Sequence, residues 1–266
     1  MQALAHYTWE AVEWSYSDHI LTLTLNRPER KNAINPTMAN ELLYGLQVAE
    51  TTPDIRVVVL AAHGDIYCAG GDLNAMRGGG SESRSTVPES GQLQDISLRL
   101  RSVRKPVIAK IQGNVMAGAL MLTCNATHAI AADHVTFSAP EIKRGLWPYM
   151  VMAGLFRVMP RRAALDFIMR GYSLPAARAL ELGLATQLVT RDQLEAEVDK
   201  LARELASFSP ATMRLGLEAY YHQDTLDFEQ AIPYLMEMLA RTIGTEDARE
   251  GIAAFLEKRP PVWTGR

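Results

Sequence analysis

Residues 106–121, PVIAKIQGNVMAGALM, decide how the chain is read. PVIAKI is a short, nearly continuous apolar run of the length expected for a strand buried on both faces. A glycine-centred turn follows, and residues 118–124 (GALMLTC) read as a short apolar helix. The same order occurs upstream, where RVVVLA at 56–61 reads as a buried strand ahead of the glycine turn IYCAGGDL at 66–73. Ahead of that strand lies a helical pattern at 36–50, with Met38, Leu42, Leu43 and Leu46 on one face. HILTLTL alternates apolar and polar residues and pairs residues 20–25 with 10–15 as a hairpin, turning at Ser17-Asp18. Downstream, 128–132 and 135–138 read as two more strands. After about Arg144 the pattern turns helical, with starts expected near Pro148, Arg161, Leu174, Arg191, Pro210, Phe228 and Thr245, and one further strand within 185–189. Alternating strands and helices indicate an α/β core.

Composition bounds the function. A chain of 266 residues, 48% hydrophobic and 21% charged, buries a large core. A net charge of -3 gives no broad positive field, so a small molecule is the expected partner and nucleic acid is not. Cys68 and Cys124 are too few for a disulfide framework or a zinc site and are read as buried thiols. The opening MQALAHYTWEAVEW lacks the basic and apolar regions of a signal peptide, and no run of about 18 apolar residues occurs. A cytoplasmic protein that does not engage a membrane is expected. GGGSESRSTVPES at 78–90 reads as a mobile surface loop or lid.

Three positions bring chemistry into view. Glycine turns let backbone approach a ligand closely. If Gly118 opens its helix, its N–H is an unpaired donor at the positive end of the helix dipole, suited to an oxygen gaining charge. In APEI, Pro140 fixes the backbone before Glu141, a carboxylate that follows a buried strand and is a candidate base with a raised pKa. From the residues alone, each glycine turn also serves as a purely structural turn, and Glu141 also serves as a surface residue paired with Lys143 or Arg144.

LNRPERKNAI, IYCAGGDL, IQGNVMAGAL and FSAPEIKRGLWP, with EGIAAFLEKRPPVW near the C-terminus, resemble the motifs of the enoyl-CoA hydratase/isomerase (crotonase) family in order and approximate spacing. The resemblance covers nearly the whole chain. It implies a spiral of β-β-α turns over about residues 1–200, closed by a C-terminal helical trimerisation region at 201–266. Homotrimers or hexamers are implied, with an acyl-CoA thioester as substrate. No separate cofactor or metal is implied, because coenzyme A is part of the substrate. Gly71 and Gly118 match the two donors that hold the thioester oxygen as it becomes an enolate. Arg27, Lys31, Ala33, Ala69, Asp72 and Leu73 match positions that cradle CoA, and Lys258 matches a basic residue offered to its phosphates.

The sequence also departs from the family. Hydratases use two glutamates on one water. Glu141 matches the second, but the first falls on Met121, whose thioether is no acid or base. After the proline, GLWPYMVM carries Trp147, Pro148, Tyr149, Met150 and Met152 where the family has more glycines, which suggests a distinctive apolar acyl pocket. One glutamate fits double-bond isomerisation, in which it moves a proton from C2 to C4. The alternatives are a hydratase or lyase in which Glu89 or Asp95 replaces the lost acid, and a non-catalytic binder of acyl-CoA or RNA.

Overall fold

The computed structural model describes residues 2–79 and 82–266. The strands are β1 Val12–Ser17, β2 Ile20–Leu25, β3 Val57–Ala62, β4 Ile66–Cys68, β5 Val107–Ile111, β6 Asn114–Met116, β7 His128–Ala132, β8 Thr136–Ser138, β9 Ser173–Pro175 and β10 Gln187–Val189. They form a six-stranded sheet in the order β1-β2-β3-β5-β7-β10 and a four-stranded sheet in the order β4-β6-β8-β9. β1 and β2 form the expected antiparallel hairpin, turned at Asp18 and His19, both at positive φ. β2 runs parallel to β3 across the helix Pro36–Thr51, a βαβ unit. That helix starts where Asn35 accepts the Met38 N–H at 2.9 Å and Pro36 occupies the first turn. Met38, Leu42, Leu43 and Leu46 are buried as its periodicity requires.

The β-β-α repeat is visible in how the chain changes sheets. β3, β5 and β7 lie parallel in the large sheet, and a short turn after each feeds β4, β6 and β8, which lie parallel in the small one. Each second strand then runs into a helical turn: Leu73–Met76, Ala117–Ala119 continued by Leu120–Cys124, and Pro140–Arg144. Because β4, β6 and β8 are neighbours pointing the same way, the residues following them emerge side by side.

β4, β6 and β9 are each three residues long, too short to express a two-residue period, and sequence patterning passes over them. Leu174 lies not in a helix but in β9, antiparallel to β8, and the helix begins at Ala176. The boundary expected at residue 200 falls inside the helix Leu194–Ala206. Its Leu194, Val198, Ala202 and Ala206 belong to the main core, so the core continues through that helix. Of the last three helices, Pro210–Gln223, Phe228–Ile243 and Glu246–Glu257, the first two share a smaller apolar cluster of Leu215, Ala219 and Met238.

The lid expected at 78–90 includes Gly80 and Ser81, which lie outside the described residues. Beyond them the segment is tied down. Glu10 accepts the Arg84 N–H at 2.7 Å and the Ser83 hydroxyl at 2.9 Å, Thr86 N–H donates to the Thr8 carbonyl at 3.0 Å, and Asn40 accepts the Ser90 N–H at 2.6 Å. Among the described residues, no helix is long and apolar enough to cross a membrane.

Candidate active site

The turns after β4 and β6 are packed into one another. Gly70 adopts φ +89, and a Cβ there would lie 2.7 Å from both the Ala117 Cβ and the Gly118 nitrogen. Only a residue without a side chain permits this approach. Ile34 pairs with the far side of the turn: its N–H donates to the Gly70 carbonyl at 2.8 Å, and its carbonyl accepts the Asp72 N–H at 2.9 Å. These bonds hold the neighbours of Gly71 and leave the Gly71 N–H facing away from Ile34. Across the gap, Gly118 is the second residue of the 3-10 turn Ala117–Ala119, so no helical carbonyl precedes it to accept its N–H. A Cβ on Gly118 would lie 3.3 Å from the Gly71 nitrogen, which puts the two amides next to each other. Ala117 holds φ +53, a left-handed conformation that costs an L-residue about 1–2 kcal/mol.

The segment beneath is braced from residues 27–34. Arg27 Nη1 donates to the Ala33 carbonyl at 2.5 Å and to Asp72 Oδ2 at 3.1 Å. Asn32, fully buried, donates to the carbonyls of His63 and Ile66 at 2.8 and 2.9 Å and accepts the Arg27 N–H at 2.9 Å. Burial opposes ionisation of Asp72, but the N–H groups of Ala75 and Asn74 and the Arg27 guanidinium outweigh it and hold its carboxyl below the ordinary range.

Two connected cavities open from the paired amides. A cleft of about 380 Å³ is lined by Lys31, Ala33, Ala69, Asp72 and Leu73, with Arg30 and Arg144 adding positive charge. A smaller pocket of about 200 Å³ is lined by Gly71, Gly118, Met121, Trp147 and Pro148, together with Leu93, Met76 and the start of the helix Tyr149–Val158. Glu141 lines both. It stands in the 3-10 turn Pro140–Arg144 directly after β8, and its Oε2 is buried without a hydrogen-bond partner among the described residues. Burial raises its pKa against the lowering effects of a backbone hydrogen bond and Arg144. A carboxyl shifted in that direction holds a proton more readily than an exposed one.

Met121 is 1% exposed, and its Cε lies 3.6 Å from where a Gly118 Cβ would be. The pocket therefore presents a methyl thioether facing the amides and, among the described residues, one carboxylate. Trp147 donates its indole N–H to the Met152 sulfur at 2.9 Å, which orients the ring. Arg27 and Lys258 line neither cavity: Arg27 is spent on bracing, and Lys258 is the exposed cap of the helix Glu246–Glu257. Glu89 and Asp95 also line neither. Asp95 accepts the Gln92 N–H at 2.8 Å at the start of its own helix. Burial pushes the Cys68 and Cys124 thiols up to about 12, so both are inert at neutral pH.

Sequence reasoning included Arg30 and Asn32 only as part of the stretch 27–33 that matches the CoA cradle, and missed Gly70, Met76, Leu93 and Arg144. Arg30, Asn32, Gly70 and Arg144 lie inside motifs already quoted. Met76 and Leu93 carried no local signal, because they line the pocket only once the fold brings both beside Gly71.

Over residues 15–266 the chain matches the family described as enoyl-CoA hydratase/isomerase. The mitochondrial enoyl-CoA hydratase domain-containing protein 3 of Rattus norvegicus is 29% identical over 248 residues, covering 93% of this chain and 82% of that relative. The mevalonyl-coenzyme A hydratase of Aspergillus fumigatus is 30% identical over 273 residues, covering 99% and 98%. Among solved structures, an enoyl-CoA hydratase from Mycobacterium smegmatis has a TM-score of 0.88 at 28% identity, covering 96% of this chain and 99% of that one. The human enoyl Coenzyme A hydratase domain-containing protein 3 has a TM-score of 0.87 at 27% identity, covering 96% and 100%.

Proposed function

We propose that this chain, which belongs to the enoyl-CoA hydratase/isomerase family and has its spiral fold, moves the double bond of a 3-enoyl-CoA into conjugation with the thioester. The observation that carries the reading is the single carboxylate, Glu141, in a pocket whose other wall is Met121. Ionised Glu141 removes a proton from C2. The electron pair delocalises onto the thioester oxygen, which accepts hydrogen bonds from the Gly71 and Gly118 N–H groups. The protonated Glu141 then delivers the proton to C4, the double bond comes to rest between C2 and C3, and the carboxylate is regenerated. Because the oxygen gains charge only along this path, the two donors stabilise the transition state more than the bound substrate. Lys31, Ala33, Ala69 and Leu73 would flank the CoA moiety, and Arg30 and Arg144 suit its phosphates.

The test is to add a 3-enoyl-CoA to purified protein and follow conjugated-thioester absorbance. A rise that Glu141→Gln abolishes supports the reading. No rise, or an equal rise in the variant, refutes it. A second reading, hydration of a 2-enoyl-CoA, is favoured by the names of the relatives, which are hydratases. Wild-type hydration of 2-enoyl-CoAs would replace the isomerase assignment. The trimer that the resemblance implies has support in Ile252, Phe255 and Leu256, which expose an apolar face on the last long helix, and sedimentation velocity tests it.

A further inference from the structure

The one-turn helix Leu73–Met76 is a partition. Leu73 and Met76 face the small pocket beside Gly71, while Ala75 and Met76 face a third cavity of about 480 Å³ behind it. Leu93 lines both spaces as well. The Met76 methyl and the Leu93 Cδ2 lie 2.4 and 3.5 Å from where a Cβ on Gly71 would be, so these two side chains are the first atoms an acyl chain meets on leaving the thioester on that side. Met76 is 58% exposed and has three rotatable bonds, so it can swing aside without disturbing the core. Its rotation would join the two spaces, which Met76 and Leu93 both line.

The far chamber differs in chemistry from the pocket in front of it. Its wall carries Asn35, Asn40, Glu89, Gln92 and Gln94. Asn40 is engaged, donating to the carbonyls of Val87 and Pro88 and accepting from Ser90. Gln94 bonds its own amide only to Gln92, at 3.2 Å, and the Glu89 carboxylate has no partner among the described residues. The chamber therefore offers free acceptors and a negative charge, which suit a hydroxyl group and repel a second carboxylate.

We infer that the cavity behind Met76 is a distal acyl subsite that takes a chain long enough to pass the partition and bearing a hydroxyl near its far end. The inference rests on the acyl-CoA reading of the site but not on which reaction Glu141 performs, so it is tested by binding. Calorimetry would compare butyryl-CoA, octanoyl-CoA and 8-hydroxyoctanoyl-CoA on wild type and on Gln94→Trp, which fills the far chamber without touching the front pocket. The hydroxylated ester should bind about fivefold tighter than octanoyl-CoA, the advantage of one hydrogen bond. Gln94→Trp should remove that advantage and leave butyryl-CoA unchanged. Equal affinity for the two eight-carbon esters, equal loss for all three esters in the variant, or no binding of any ester overturns the subsite. Tight, selective binding without turnover would overturn the proposed reaction and leave the subsite standing.

Discussion

Gly70→Ala separates what holds the paired amides together from what they do. The new Cβ would lie 2.7 Å from the Gly118 nitrogen and the Ala117 Cβ, where ordinary contact begins near 3.4 Å, so the turns after β4 and β6 must part by about 0.7 Å. Two costs add. An L-residue at φ +89 is disfavoured by about 1–2 kcal/mol, and overpacking adds about 1–3 kcal/mol, for a loss of stability of about 2–5 kcal/mol. The effect on catalysis is separate. Moving Gly118 away by that distance lengthens a donor contact of ~2.9 Å beyond useful hydrogen-bond range, and losing one such donor lowers kcat by about 10²–10³. Denaturant unfolding reads the first cost, and kcat/KM on a 3-enoyl-CoA, with concentration corrected for the folded fraction, reads the second. Gly183→Ala is the matched control: Gly183 has φ +85, and its Cβ would lie 2.3 Å from the Val158 carbonyl oxygen, away from both site cavities. It should lose comparable stability with kcat/KM of the folded enzyme unchanged. If Gly70→Ala keeps kcat/KM within about twofold while losing the expected stability, the amide pair is not the source of rate acceleration.

Glu141→Gln should lower kcat by about 10²–10⁴ with little change in KM. The kcat/KM profile of wild type should rise with pH through a pKa above the ordinary 4.5. The same group leaves a mark on stability. A carboxyl raised by burial binds more protons folded than unfolded, so stability is greatest in acid and falls as pH climbs from the ordinary range through the raised pKa. Thermal melts should show that fall in wild type and not in Glu141→Gln. Met121→Glu should create measurable 2-enoyl-CoA hydration if the missing acid is what bars it, at a stability cost of about 1–3 kcal/mol for a buried polar group. Product analysis by chromatography decides, and strong hydration already present in wild type defeats the argument. Asp247→Asn should free the C-terminal tail. Asp247 is buried, yet it accepts the Ser209 hydroxyl at 2.7 Å and the Thr264 and Gly265 N–H groups at 2.8 and 3.0 Å, which together hold its carboxyl below the ordinary range despite burial. A depressed pKa makes this clamp present above the unfolded-state value and lost as pH falls through the folded one. Limited proteolysis of residues 259–266 should quicken in the variant, and in wild type only in acid.

What could be read in the sequence was whatever expresses itself within one element. The buried runs that became β3, β5 and β7, the helix Pro36–Thr51 and the ordered motifs around Gly71, Gly118 and Glu141 each carry their signal locally, and with them came the α/β class and the spiral. What escaped depends on two elements meeting. Gly70 looked like one more turn glycine until β6 brought Ala117 against it. Arg27 was expected beside CoA, but its guanidinium reaches Ala33 and Asp72, a contact fixed by the Ile34 to Gly71 bridge between segments far apart in sequence. Met121 shows the reverse. Its replacement of an acid was legible at once, yet its consequence needed the pocket, because a missing carboxylate alters the chemistry only if none of the surrounding acids can reach the same space. Asp72 is held ionised by Arg27 and its own helix turn, Asp95 is engaged by the Gln92 N–H at the start of its helix, and Glu89 faces the chamber behind Met76. Those three placements, together with Met121, leave Glu141 as the one carboxylate among the described residues that lines the small pocket.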